Sequence, residues 1–252
     1  MIWLRSALFN LWFYGATLVL ASAAAVVQAG PSAWTHAIAR QWARTVLAGL
    51  KPLCGITVVI SGREHVPAVG AALIASQHQS AFDTMVWLLL APNPSYVLKQ
   101  ELLRIPLFGG VVRRLEMIPV DRSAGAAAIR TLLRGGDAAA QAGKQIVIFP
   151  EGTRALPGAP LPLHPGVAAL ATRAGLPVIP VVTDSGLCWG RRAFRKLPGV
   201  IHIAIQPPLP AGMPRAALME RLAALYAGGI DAVDKSVDST ELGFSICPRK
   251  AF

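Results

Sequence analysis

His78 and Asp83 stand five positions apart in Ser76-Gln-His-Gln-Ser-Ala-Phe-Asp83, immediately after an apolar run from Ala71 to Ala75. A carboxylate about one helical turn from an imidazole can fix its tautomer and leave the other ring nitrogen free to accept a proton from a hydroxyl. The same two residues also fit a structural role, with His78 a polar loop residue and Asp83 a helix cap. A second polar cluster, Phe149-Pro-Glu-Gly-Thr-Arg154, follows the apolar run from Gln145 to Phe149. There Gly152 permits close backbone approach, Thr153 offers a hydroxyl and an amide, and Arg154 can hold phosphate with a two-pronged fork. Val120-Asp-Arg122 repeats the theme, and Lys99, Arg113 and Arg114 add positive charge.

No serine-hydrolase elbow of the G-x-S-x-G type occurs, and no cysteine lies near a histidine in sequence. Ser80 and Cys188 are conceivable nucleophiles without a supporting motif. A base with no protein nucleophile beside it points to direct attack by a substrate hydroxyl on an activated acyl group. Cys54, Cys188 and Cys247 have no metal-ligand spacing, and no nucleotide-binding glycine loop is present, so neither a metal nor a cofactor is expected.

The elements that must position these residues alternate regularly. Runs rich in Val and Ile (56–60, 71–75, 145–149, 177–182 and 200–205) read as buried strands. Helical candidates lie between and after them at 80–90, 124–142, 165–174 and 214–227. This order predicts an α/β fold, a central mostly parallel sheet flanked by helices, with its site at the carboxyl ends of strands. The proline-rich stretch 157–165 reads as a rigid surface loop. Three regions are expected: N-terminal membrane-anchoring helices at 1–50, a catalytic domain at 51–230 and a polar tail at 231–252.

The anchor rests on composition. From Ser6 to Thr35 no charged residue or histidine occurs, a stretch longer than the roughly 20 apolar residues that cross a bilayer as a helix. A cleaved signal peptide and a helical hairpin lying in one leaflet fit the same composition. Segment 33–50, with Arg40 and Arg44 among apolar residues, suits either an amphipathic surface helix or one packed on the main domain. Lys51 joins these arginines after the apolar stretch, against Arg5 before it, which favours a body on the cytoplasmic side of the inner membrane. The 252-residue chain is 54% hydrophobic and carries 24 Lys and Arg against 13 Asp and Glu, a formal charge of +11. Its partners are therefore anionic: phospholipid headgroups, phosphorylated substrates or nucleic acid. The aromatic interleaving of single-strand binders is sparse, which argues against nucleic acid and for an anionic membrane surface. The cluster Arg191, Arg192, Arg195 and Lys196, with Trp189, suits either a solvated loop or an interfacial one.

Taken in order, the motifs resemble the four blocks of the glycerolipid acyltransferase family. They are 77–83, then Lys99-Gln-Glu-Leu102 with Pro106-Leu-Phe-Gly109 and Ile118-Pro-Val-Asp-Arg122, then 149–154, then Val178-Ile-Pro-Val-Val182. The resemblance runs from about Trp42 to Tyr226. It implies a membrane-bound enzyme that moves an acyl chain from acyl-CoA or acyl carrier protein to the sn-2 hydroxyl of lysophosphatidic acid. It further implies His78 as base and Asp83 as its partner, with Lys99, Arg122, Glu151, Gly152, Thr153 and Arg154 at the acceptor's phosphate and glycerol. The chain departs from the family pattern at Gln77, Glu116, His164 and Asp184. Glu116 and Asp184 would bring negative charge to a phosphate site if they face it, which leaves another lysolipid acceptor open. A non-catalytic protein of the anionic membrane surface is the remaining alternative.

Overall fold

The computed structural model describes residues 1–159, 161–230 and 240–241. Two N-terminal helices come first, α1 (Ile2–Val26) and α2 (Ser32–Ala48). They are followed by β1 (Ile56–Ser61), β2 (Ala72–Ser76), α3 (Phe82–Leu90), β3 (Pro94–Lys99), α4 (Phe108–Arg114) and β4 (Ile118–Val120). Then come α5 (Ala126–Gln141), β5 (Gln145–Ile148), α6 (Gly166–Ala174), β6 (Val178–Thr183) and the single turn α7 (Ser185–Cys188). The described chain closes with β7 (Gly199–Ile205), α8 (Arg215–Gly228) and β8 (Thr240–Glu241).

Among the described residues the strands form one sheet in the order β4-β3-β5-β2-β6-β7-β1-β8. Pairing is parallel except between β6 and β7 and between β1 and β8, so the expected mostly parallel sheet is present. Burial follows position. Every residue of β2, β5 and β6 is buried, as both faces of a central strand must be, whereas β1 alternates buried and half-buried. One face carries α1, α2 and α3, which share a core with Ile56, Ile60 and Ile74 through Phe9, Val46, Leu47 and Trp87. The other face is covered by α5, α6 and α8 through Leu132, Leu170, Leu218 and Leu222. Helix α5 shows the logic of its sequence: Ala128, Leu132 and Ala139 face in, while Arg130 and Arg134 face solvent.

Two strands and a helix escaped the sequence reading. β3 is a mixed run, Pro-Ser-Tyr-Val-Leu-Lys, and β4 is only Ile-Pro-Val. The proline in β4 is tolerated because β4 is the edge of the sheet. Helix α4 has two glycines in its first turn and reads as a turn. Of the tail expected at 231–252, only Thr240 and Glu241 are described, paired antiparallel with Ile60 and Val59; its remainder, with Cys247, lies outside the described residues.

The N-terminal helices are not set apart from the body at residue 50. Residues Ile2–Ala29 are long and apolar enough to cross a membrane, and only 6% of their most apolar window is buried within the protein. Yet α1 touches the body along its length. Arg5 Nε donates to the Leu53 carbonyl at 2.9 Å, Trp12 Nε1 to that of Thr45 at 2.7 Å, and Thr17 Oγ1 accepts from Trp42 Nε1 at 3.0 Å. Beyond its C-terminus, Arg114 donates to the carbonyls of Gln28 and Gly30. The opposite side of α1 exposes Trp3, Leu4, Leu11, Tyr14, Leu18 and Val19.

Candidate active site

Parallel strands end together, and the order β4-β3-β5-β2 puts four motif ends side by side at one sheet edge. His78 lies two residues beyond β2, Glu151 three beyond β5, Lys99 at the end of β3, and Arg122 two beyond β4. The segment from Gln77 to Ala81 turns from β2 into α3, and Asp83 sits in the first turn of that helix. Its Oδ2 accepts from the amides of Gln79 and Ser80, each at 2.7 Å, and from His78 Nδ1 at 3.1 Å. With Nδ1–H committed to Asp83, Nε2 is left as the acceptor. The Phe149 ring stacks on the imidazole, with centroids 4.2 Å apart and planes at 24°. The His78 amide donates to Glu151 Oε2 at 2.6 Å, and the His78 carbonyl accepts from the Ala155 amide at 2.7 Å. His78 is therefore held at its backbone, its ring nitrogen and its ring face.

A cavity of about 680 Å³ opens from His78. Lys99, Arg122, Gly152, Thr153, Arg154, Arg191 and Arg192 form its polar part. Its apolar part is built by Leu20, Ala21 and Ala24 of α1, Ile38, Ala39 and Trp42 of α2, Leu88 of α3, Phe108, Val111 and Val112 of α4, and Leu115 just beyond it. His78 thus lies where a basic mouth meets a hydrocarbon-lined chamber.

Of the residues expected at the site, His78, Lys99, Arg122, Gly152, Thr153 and Arg154 line this cavity. Asp83 stands behind His78. Glu151 does not line the cavity: it is 4% exposed and turned toward the His78 backbone, and burial pushes its carboxyl up to about 7. Gly152 has φ +65°, a conformation that favours glycine, and a Cβ there would lie 2.7 Å from the His164 ring. Its carbonyl accepts from Arg122 Nη1, which ties the second arginine to the loop carrying the first. Burial lowers the Arg154 guanidinium from its ordinary value; Asp83 opposes that, and nearby Arg191 and Arg192 reinforce it. Lys99 pairs with Glu101 at 2.9 Å.

Glu116 and Asp184 do not face the cavity. Glu116 pairs with Lys144, and Asp184 accepts from the amide and Nδ1 of His202, both at 2.7 Å. Neither conceivable nucleophile faces it either. Ser80 is fully buried, with Oγ accepting from the Phe82 amide at 3.1 Å, and the buried Cys188 thiol is pushed up to about 11 by burial and by Asp184. Sequence reasoning missed the contribution of α1, α2 and α4 to the chamber, and the place of Arg191 and Arg192 at its mouth. The basic cluster was visible in sequence, but nothing local joined it to a site nearly forty residues upstream.

An α/β sheet with a His–Asp pair set between a basic mouth and a hydrocarbon-lined chamber is an arrangement suited to a lipid-handling transferase, and comparison with known proteins points to that class. Residues 57–184 match the acyltransferase family model. The 1-acyl-sn-glycerol-3-phosphate acyltransferase of Pseudomonas aeruginosa is 34% identical over 174 residues, which are 69% of this chain and 67% of that protein. That of Limnanthes alba is 33% identical over 159 residues, 62% of this chain and 56% of the plant protein, so the match spans little more than half of the latter. The crystal structure of the 1-acyl-sn-glycerophosphate acyltransferase PlsC from Thermotoga maritima has the same fold, with a TM-score of 0.75 at 19% identity over 93% of this chain and all of that one. The chain belongs to the acyltransferase family and is an enzyme of that class. Within the family, the relatives it resembles are those named for acylation of 1-acyl-sn-glycerol 3-phosphate.

Proposed function

We propose that this enzyme transfers a fatty acyl chain from acyl-CoA or acyl carrier protein to the sn-2 hydroxyl of 1-acyl-sn-glycerol 3-phosphate, giving phosphatidic acid, at the cytoplasmic face of the inner membrane. The observation that carries this reading is the His78–Asp83 pair, placed between the basic mouth and the hydrocarbon chamber of one cavity. His78 Nε2 takes the proton of the sn-2 hydroxyl while its oxygen attacks the thioester carbonyl. A carbon–oxygen bond forms, the carbon–sulfur bond breaks, and the imidazolium returns the proton to the departing thiolate. Asp83 stabilises that imidazolium and keeps Nε2 directed at substrate. Arg122 and Arg154 hold the acceptor's phosphate, for which guanidinium forks are suited, and the chamber takes an acyl chain.

Because Glu116 and Asp184 are paired elsewhere, the mouth retains the positive field a phosphomonoester needs. This favours a phosphorylated acceptor over a lyso-aminolipid. The test is product analysis in detergent micelles with defined lysolipids, with and without the phosphate. Phosphatidic acid is expected from the wild type and none from His78→Ala; substantial product from the variant would sink the assignment of the base.

A further inference from the structure

Arg191 and Arg192 line the cavity mouth, yet both fall beyond residues 57–184, the segment that matches the acyltransferase family. Both are exposed, and among the described residues neither has a carboxylate partner. Arg191 Nη1 donates to the Arg154 carbonyl at 3.4 Å, which draws its guanidinium toward the site. Arg192 adopts φ +54°, a left-handed conformation that is unfavourable for a non-glycine residue. The loop bearing them is tied down. The Ala193 amide donates to Gly190 at 3.1 Å and the Leu197 amide to Cys188 at 2.8 Å. Buried Lys196 donates through Nζ to Asn10 Oδ1 at 2.9 Å and to the carbonyls of Ala193 and Phe194 at 3.0 Å. Phe194 stacks on Trp3 of α1. A fixed loop that holds two uncompensated cations at a cavity mouth, one of them in a strained conformation, is built to meet an anion.

The acceptor supplies one phosphate, to which the reading above assigns Arg122 and Arg154. The reaction has a second phosphate-bearing substrate. Acyl-CoA and acyl carrier protein differ in almost everything except the phosphopantetheine arm that carries the thioester. Resting on the acyl-transfer reading above, we propose that Arg191 and Arg192 bind the phosphate of the donor's phosphopantetheine arm. They form a donor subsite separate from the acceptor's arginines.

The test uses the full chain in neutral detergent micelles with acyl-CoA, acyl carrier protein and a phosphate-free acyl-pantetheine as donors. The variant Arg191→Ala/Arg192→Gly removes both guanidiniums and relieves the left-handed residue, so its Tm is expected to hold or rise. It should raise the KM for both natural donors roughly tenfold or more, as loss of charge-assisted phosphate contacts does. The acceptor KM should stay within about twofold, and wild type and variant should use the phosphate-free donor equally well. Arg195→Ala, which removes a cation outside the cavity and over the Trp3 ring, should leave the donor KM unchanged. An equal loss with the phosphate-free donor, a raised acceptor KM, or the same loss from Arg195→Ala would overturn the proposal. A loss confined to acyl-CoA would overturn the pantetheine assignment in favour of the nucleotide phosphates. Direct binding of CoA, measured without turnover, separates this site from the overall reading. Binding lost in the double variant supports the site even if the wild type makes no product, and equal binding by both forms rejects it.

Discussion

Asp83 Oδ2 receives three hydrogen bonds, from His78 Nδ1 and from the consecutive amides of Gln79 and Ser80, so this one oxygen both holds the imidazole and fixes the turn that leads into α3. Asp83→Asn removes the charge that stabilises the imidazolium and allows the wrong tautomer. We expect kcat to fall by at least about 100-fold with little change in either KM, measured under saturating donor and acceptor. Glu151 gives a prediction of a different kind. Its carboxyl is raised from an ordinary value of 4.5 to about 7, by burial first, with the His78 amide opposing and Asp83 adding. A raised acid binds its proton more tightly in the folded state, so its contribution is fully present below about pH 4.5 and is lost as pH climbs through about 7. Glu151→Gln keeps an oxygen for the His78 amide and removes the titration. The wild type should therefore lose stability relative to the variant between pH 5 and pH 8, by up to about 3 kcal/mol, read as a crossing trend in Tm. A pH-independent difference would show that Glu151 stays ionised when folded. The pairing of His78 with Asp83 was legible in sequence because both lie within one turn. The inward turn of Glu151 was not, because it depends on β2 and β5 being neighbours.

The sheet converts four scattered motifs into one site, and its legibility was uneven for physical reasons. Strands β2, β5 and β6 are nearly unbroken apolar runs because the middle of a sheet covered on both faces demands it, and β1 and β7 beside them are still rich in Val and Ile. Strands β3 and β4 lie toward the edge, where burial is weaker and proline is allowed, so no such run marks them. The chamber was the least legible part. Its wall combines alanines and larger apolar residues of α1 and α2 with those of α4, and no sequence period reports which helix faces meet across a space. That wall makes a testable statement about chain length. Ala39 of α2 is 8% exposed and lines the chamber. A leucine there brings three more carbon atoms into space that an acyl chain would fill. Each displaced methylene forfeits about 0.8 kcal/mol of burial, so Ala39→Leu should shift preference toward donors shorter by roughly two to four carbons. A ladder of acyl donors, each measured for kcat/KM, reads this directly; an unmoved optimum would place the acyl chain elsewhere.

At the scale of the molecule, the apolar N-terminus poses a geometric question that composition leaves open. A helix of α1's length, about 37 Å at 1.5 Å per residue, could cross a bilayer. To cross while attached to one body, it would have to leave that body, and it does not. Arg5 bonds Leu53 near the start, the Ser6 hydroxyl accepts from the Lys196 amide, Phe9 meets Trp189 edge to face, Thr17 meets Trp42, and Arg114 grips the carbonyls just beyond the end. The polar groups of the sheet edge and the cavity mouth cannot follow the helix into hydrocarbon. On this geometry we expect α1 to lie along the body with its exposed outer face, Trp3, Leu4, Leu11 and Leu18 among others, immersed in one leaflet. That arrangement would set the chamber beside the lipid from which the proposed acceptor arrives. Single cysteines at Ile2 and at Gln28, on opposite ends of the apolar segment, should both be labelled by a membrane-impermeant reagent from the same side of sealed vesicles. Labelling of the two ends from opposite sides would require α1 to detach from the body and would refute the one-leaflet arrangement. For the same reason, deleting residues 2–30 removes Phe9 from the core and one wall of the chamber, so the remainder should lose activity in micelles as well as in membranes. Full activity of that fragment in detergent would show that the helix only tethers.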